Sequence, residues 1–232
     1  MPASITFQYR YSFKDGVSKV FDIRLDSQSL ALHSENPSDP PPWALLNHSK
    51  CSNCPLDEQT VAYCPIALNF SGIVREFKDF VSYANVSVAV VTEERTYSKE
   101  TTIQQGLSPL LGIFMTTSGC PVMEPLKPMV RFHLPFATLM ETIFRMVSMY
   151  FVAQYFLHQE GKAATWDLEG LRHIYSEVGK VNQGFAQRLR DAAKNDANVN
   201  ALVNLDCFAS MIPLAAEETL AEIRSYFAAY LK

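Results

Sequence analysis

The sequence is short of the features that mark several large classes of protein. Charged residues make up only 19% of the 232 residues, and glycine appears nine times. There is no glycine-rich phosphate loop, no Gly-x-Ser-x-Gly elbow and no His-Glu-x-x-His pair, so the common phosphate, acyl-hydrolase and metalloprotease signatures are excluded. A basic tract of the kind that binds phosphate backbones is also missing, and the formal net charge is −4, so nucleic acid is not an expected partner. The nearest basic group, Arg188 and Arg190 beside Lys194, reads as a solvated helix face. Met1 to Phe13 shows no basic stretch followed by an apolar run, so no secretory leader is expected and the cytoplasm is the expected compartment.

Long uncharged apolar runs are lacking as well. Residues 132–157 exceed the ~20 residues a bilayer requires. However, Glu141 and Arg145 stand near their middle, each costing about 2.5–3.5 kcal/mol in hydrocarbon. Their i,i+4 spacing suits a pair on one helical face. The stretch therefore reads as a buried helix of a soluble fold, with no membrane partner.

What is present begins with strands. Ile5, Phe7, Tyr9, Tyr11 and Phe13 alternate with polar residues, the period of a half-buried strand. Lys14-Asp15-Gly16 supplies a hairpin turn. Phe21, Ile23 and Leu25 predict a second strand, and Leu30 to Leu32 a short third. Residues 34–42 hold four prolines and read as a linker. A helix is expected over about 66–80, strands around Val86–Val90 and Tyr97–Ile103, and a helix over 104–116 closed by Gly119 at its left-handed C′ position. Beyond 126 the pattern is helical: about 135–159, 167–194 with Asp167 as cap, and 198–230 interrupted near Pro213. Strands first and helices after predict an α+β fold. One domain over 1–232 is expected, with a sheet-rich half (1–125) and a helical half (126–232).

Five cysteines are an odd number in a chain with no leader, so reduced thiols are expected. Four of them carry the main chemical signal. Cys51-x-x-Cys54 brings two sulfurs within reach of one ion, Cys64 lies close in sequence, and Cys120 must arrive through the fold. Cys54, Cys64 and Cys120 are each followed by proline, which stiffens the chain after the sulfur. The ordered readings are a Zn²⁺ site, then an iron–sulfur cluster, then a redox dithiol, against incidental buried cysteines. Cys120 follows a helix C-terminus, a poor place for a free nucleophile. Cys207 reads as core, and His48 as a substitute ligand or a solvated side chain.

A second candidate is Arg131, His133 and Glu141, which could serve acid–base or anion-binding chemistry or simply form a buried ionic network. Tyr150, Phe151, Tyr155 and Phe156 could line a ligand pocket, though aromatics at helical spacing usually form core. A third reading is a homodimeric interaction protein built on the long apolar helices.

The strings Cys51-x-x-Cys54-Pro55-Leu56 with Tyr63-Cys64-Pro65, Gln104-Gln105-Gly106-Leu107, Ser118-Gly119-Cys120-Pro121 and Pro128-Met129-x-Arg131-Phe132-His133-Leu134-Pro135-Phe136 together resemble an uncharacterised bacterial family known only as a domain of unknown function. The resemblance covers nearly the whole chain. It implies a bacterial cytoplasmic protein and brings no established activity.

Overall fold

In the computed structural model, which describes residues 4–34, 37–192 and 195–232, the alternating segment Ser4–Ser12 forms strand β1, with Phe7, Tyr9 and Tyr11 buried on one side. A hairpin with Gly16 at φ +86° leads to β2 (Ser18–Asp26), which places Ile23 and Leu25 on the same buried side. A long excursion, including helix α1 (Pro65–Phe77), separates these strands from β3 (Asn85–Val91) and β4 (Thr96–Thr102). β3 pairs with β1, giving an antiparallel four-stranded sheet in the order β2-β1-β3-β4. Val86, Val88 and Val90 complete its buried face, as a period of two requires.

The remaining helices are α2 (Ile103–Thr117), α3 (Lys127–Arg131), α4 (Leu139–Gln159), α5 (Glu169–Ala192) and α6 (Ala197–Ile223). The fold is thus α+β, two hairpins joined with a mainly helical C-terminal half. α2 lies directly on the sheet: the Tyr11 hydroxyl donates to the Gly106 carbonyl at 3.0 Å, fully buried. A methyl at position 106 would meet Val88 Cγ2 at 2.8 Å and Tyr11 Cε1 at 3.3 Å, so glycine is what allows this approach.

Several expectations change. Leu30–Leu32 makes only an isolated bridge, Leu25 to Leu32, and Leu30 adopts φ +56°, a left-handed conformation that breaks a strand. The proline-rich linker lies partly outside the described residues. The helix expected from Pro135 starts at Leu139, because Thr138 and Glu141 form a reciprocal capping box there and Phe136 takes φ +63°. That box engages Glu141, so its expected pairing with Arg145 is replaced. Arg145 Nη2 instead donates to the carbonyls of Met129 (3.0 Å) and Phe132 (2.6 Å). Among the described residues no single helix is long and apolar enough to cross a membrane. The two arms of the last helix, Ala197–Ile212 and Leu214–Phe227, pass such a test only as a pair bent by 67°, which matches the interruption read at Pro213.

Two glycine substitutions separate close approach from mere helix softness. Gly106→Ala is expected to destabilise by about 1–3 kcal/mol through overpacking. Gly72→Ala in α1, where an added methyl meets nothing within 4 Å, is expected to stabilise by about 0.5–1 kcal/mol. Urea denaturation midpoints check both, and a neutral Gly106→Ala would contradict the packing of α2 on the sheet.

Candidate functional site

Three chain segments carry the four cysteines, and one of them, the turn bearing Cys51, packs against α5. The stretch following the prolines runs beside residues 62–64, through Leu46 N–H to Ala62 O at 2.9 Å and Cys64 N–H to Ala44 O at 2.8 Å. This fixes Cys64 at the N-cap position of α1, with Pro65 opening the helix, a place that favours negative charge. Cys51 and Cys54 flank a tight turn closed by Cys54 N–H to Cys51 O at 3.0 Å. Cys120 follows the end of α2, where Gly119 takes φ +90°.

The Cys51 thiol donates to the Val181 carbonyl of α5 at 3.7 Å. Gly184, one turn on, makes room for it: a methyl there would lie 2.8 Å from Cys51 Sγ. Burial first, then proximity to Cys64, Cys120 and Cys54, pushes the Cys51 thiol up to about 12, while Arg188 opposes the rise. Cys120 is pushed up to about 11 by burial, with Cys64 and Cys54 adding to it; the nearby backbone N–H groups of Met123 and Val122 pull the other way. The four thiols therefore stand within mutual electrostatic reach. Among the described residues, however, no group of three or more His, Cys, Asp or Glu side chains stands ready to hold a metal ion.

The remaining cysteine expectation is corrected: Cys207 is exposed, on an outer face of α6. His48 turns from the cluster to Asp191, Nε2 to Oδ2 at 2.7 Å.

Arg188 is the functional residue that the sequence reading misplaced. It is 1% exposed, the opposite of a solvated face. Nη1 donates to the carbonyls of Trp43 (2.8 Å) and Leu45 (2.5 Å) and Nη2 to that of Leu46 (2.8 Å), while Nε has no partner among the described residues. A buried guanidinium without a carboxylate is expensive to desolvate, and here it sits beside ionisable sulfur. Its one sequence signal is helical spacing, since Val181, Gly184 and Arg188 recur at i, i+3 and i+7. Arg190 is exposed as expected, and Lys194 lies outside the described residues.

Arg131, His133 and Glu141 do not assemble as an acid–base set. Arg131 is exposed, its guanidinium 5.7 Å from the Phe132 ring. Glu141 is held in the capping box by Thr138. His133 Nε2 meets the Tyr9 hydroxyl at 2.6 Å, and burial, with Arg145 adding to it, pushes its imidazole down to about 3. Arg131 and His133 do share the lining of one cavity, where Arg145 takes the place read for Glu141. The aromatic pocket also dissolves: Tyr150 is buried and bonded to Thr165 at 2.9 Å, while Tyr155 and Phe156 are more than half exposed.

A family profile described as "Domain of unknown function (DUF6901)" matches residues 7–228. No curated protein and no solved structure matches the chain.

The state of His133 sets a pH dependence. An unfolded imidazole takes up its proton near 6.5, the folded one only near about 3. Between these values the unfolded chain binds more protons, so stability falls as pH falls through that window and gains no slope from His133 above it. Urea midpoints at pH 7, 5 and 4 are expected to drop less in His133→Gln than in the parent. Parallel losses would contradict a neutral buried imidazole.

Proposed function

We propose that this chain, which belongs to the DUF6901 family of unknown function, binds one soft divalent cation, zinc first, on the thiolates of Cys51, Cys54, Cys64 and Cys120. The observation that carries the reading is that Cys51, held against α5, lies within electrostatic reach of Cys54, Cys64 and Cys120, which together come from three separate segments. Four neutral thiols in one place are tolerable, whereas four thiolates repel one another unless a cation lies between them. A bound metal inverts the local acid–base balance and deprotonates its thiols outright.

Further features favour sulfur in its anionic form. The backbone N–H groups of Met123 and Val122 favour the Cys120 thiolate, Cys64 sits at the start of α1, and Arg188 places a positive charge near Cys51. Such outer groups orient ligands and tune them. Ligation at a Zn–S distance of about 2.3 Å requires the sulfurs to come closer than they stand. Four sulfurs fill a tetrahedral shell and leave no open position, so the role is structural: the ion joins the cysteine-bearing turn, the head of α1 and the tail of α2. An iron–sulfur cluster uses the same four ligands and is separated by its colour and acid-labile sulfide.

Protein purified without oxygen is expected to hold one zinc per chain. Cys54→Ser and Cys120→Ser should lose most of it and melt at lower temperature, whereas Cys207→Ser, changed on the exposed helix, should keep both. Equal metal content across the three variants would refute the site.

Cys51 and Cys120 keep their protons up to about 12 and about 11, so zinc uptake at pH 7 must release protons. Affinity is then expected to weaken steadily as pH is lowered. Calorimetry in buffers of different ionisation heat measures the release directly, and an uptake without proton release would rule out thiolate ligation.

A further inference from the structure

Six buried side-chain nitrogen or oxygen atoms lack a hydrogen-bond partner among the described residues, and two of them face the same question. Asn182 Oδ1 on α5 and Asn204 Nδ2 on α6 belong to residues lining one cavity of about 330 Å³, partly open to solvent and bordered by β4, α2, residues 123–137 and helices α4, α5 and α6. Small-molecule pockets begin at roughly 300 Å³. The wall is mostly apolar, with Ile113, Met129, Val178, Phe208 and Ile212 among its residues.

The free atom of Asn182 is fixed chemically. Its Nδ2 donates to Asp206 Oδ1 at 2.7 Å, and an ionised carboxylate only accepts, so the atom left over is the carbonyl oxygen. Asn182 is 2% exposed, and an unpaired buried carbonyl costs about 1–3 kcal/mol. Asn204 lines the same cavity and carries an amide N–H without a partner among the described residues, so the pair matches a group that both donates and accepts.

The charge of the wall is one-sided. Arg145 and Lys99 line it, and among the described residues no aspartate or glutamate does. Only Nη2 of Arg145 is engaged among the described residues, by two backbone carbonyls. Arg145 is electrostatically coupled to Tyr175, which lines the cavity seven residues before Asn182 on α5. At 1.5 Å per residue the two polar ends lie about 10 Å apart along that helix.

We propose that this cavity binds a small lipophilic acid with a second polar group: the carboxylate lies at Arg145, the apolar body crosses the cavity, and a distal hydroxyl is read by Asn182 and Asn204. This site is independent of the cysteine cluster. It uses neither Glu141 nor the aromatic face of α4.

Isothermal titration of the whole protein with 10-hydroxydecanoate, decanoate and 1-decanol tests it. Saturable one-to-one binding is expected, strongest for the hydroxy acid, about tenfold weaker for decanoate and weakest for decanol. Asn204→Leu should bring the hydroxy acid down to the level of decanoate and leave decanoate unchanged. Ala209→Trp, which fills the cavity, should abolish binding of all three, with Gly112→Leu as the second filling variant if the first fails to fold. Absence of saturable binding in the parent protein would overturn the proposal, as would binding that survives a folded, filled variant. Equal affinity for the acids and the alcohol would overturn the assignment of the carboxylate to Arg145.

Discussion

A guanidinium sealed inside the protein decides how the sheet-bearing half meets the helices. Arg188 reaches out of α5 and holds three carbonyls of one short stretch of backbone, those of Trp43, Leu45 and Leu46. That grip fixes the strand-like segment beside Cys64 and positions the turn carrying Cys51 and Cys54. Burying a charge without a carboxylate is a poor way to gain stability. Its position beside ionisable sulfur suggests a different use: a permanent positive field where negative charge is meant to collect.

α5 then serves two sites with two faces. Val181, Gly184 and Arg188 form one stripe and meet the cysteine cluster. Tyr175, Val178 and Asn182 form another, roughly 120° round the helix, and line the large cavity. Met123 is shared between them, since its N–H donates to the Cys120 carbonyl at 3.1 Å while the residue lines the cavity. A change at the sulfurs therefore has a short physical path to the cavity wall, through one residue and one helix.

Much of this was legible in the sequence because the signals were local. Alternation over Ile5–Phe13, the Asp15-Gly16 turn and the glycine after α2 each act within a few residues, and each element formed where those rules place it. The convergence of Cys120 on the other three could be read as chemistry but not as geometry. What failed depended on partners distant in the chain or on competition between neighbours. Arg188 looks like one more surface cation until Trp43 to Leu46 arrive from the other end of the protein. Glu141 has two suitors, Arg145 four residues on and the backbone of Thr138 three residues back; the capping box prevails because a short, pre-set loop costs less side-chain entropy than an exposed ion pair recovers. Cys207 was assigned to the core on its apolar neighbours, yet α6 turns that position outward.

The most direct test of the account is X-ray absorption at the zinc edge of the metal-loaded full-length protein. A single shell of four sulfur atoms at about 2.3 Å is the predicted result. A shell containing nitrogen or oxygen, or fewer than four sulfurs, would contradict it and leave the cysteines as neighbours that never share an ion.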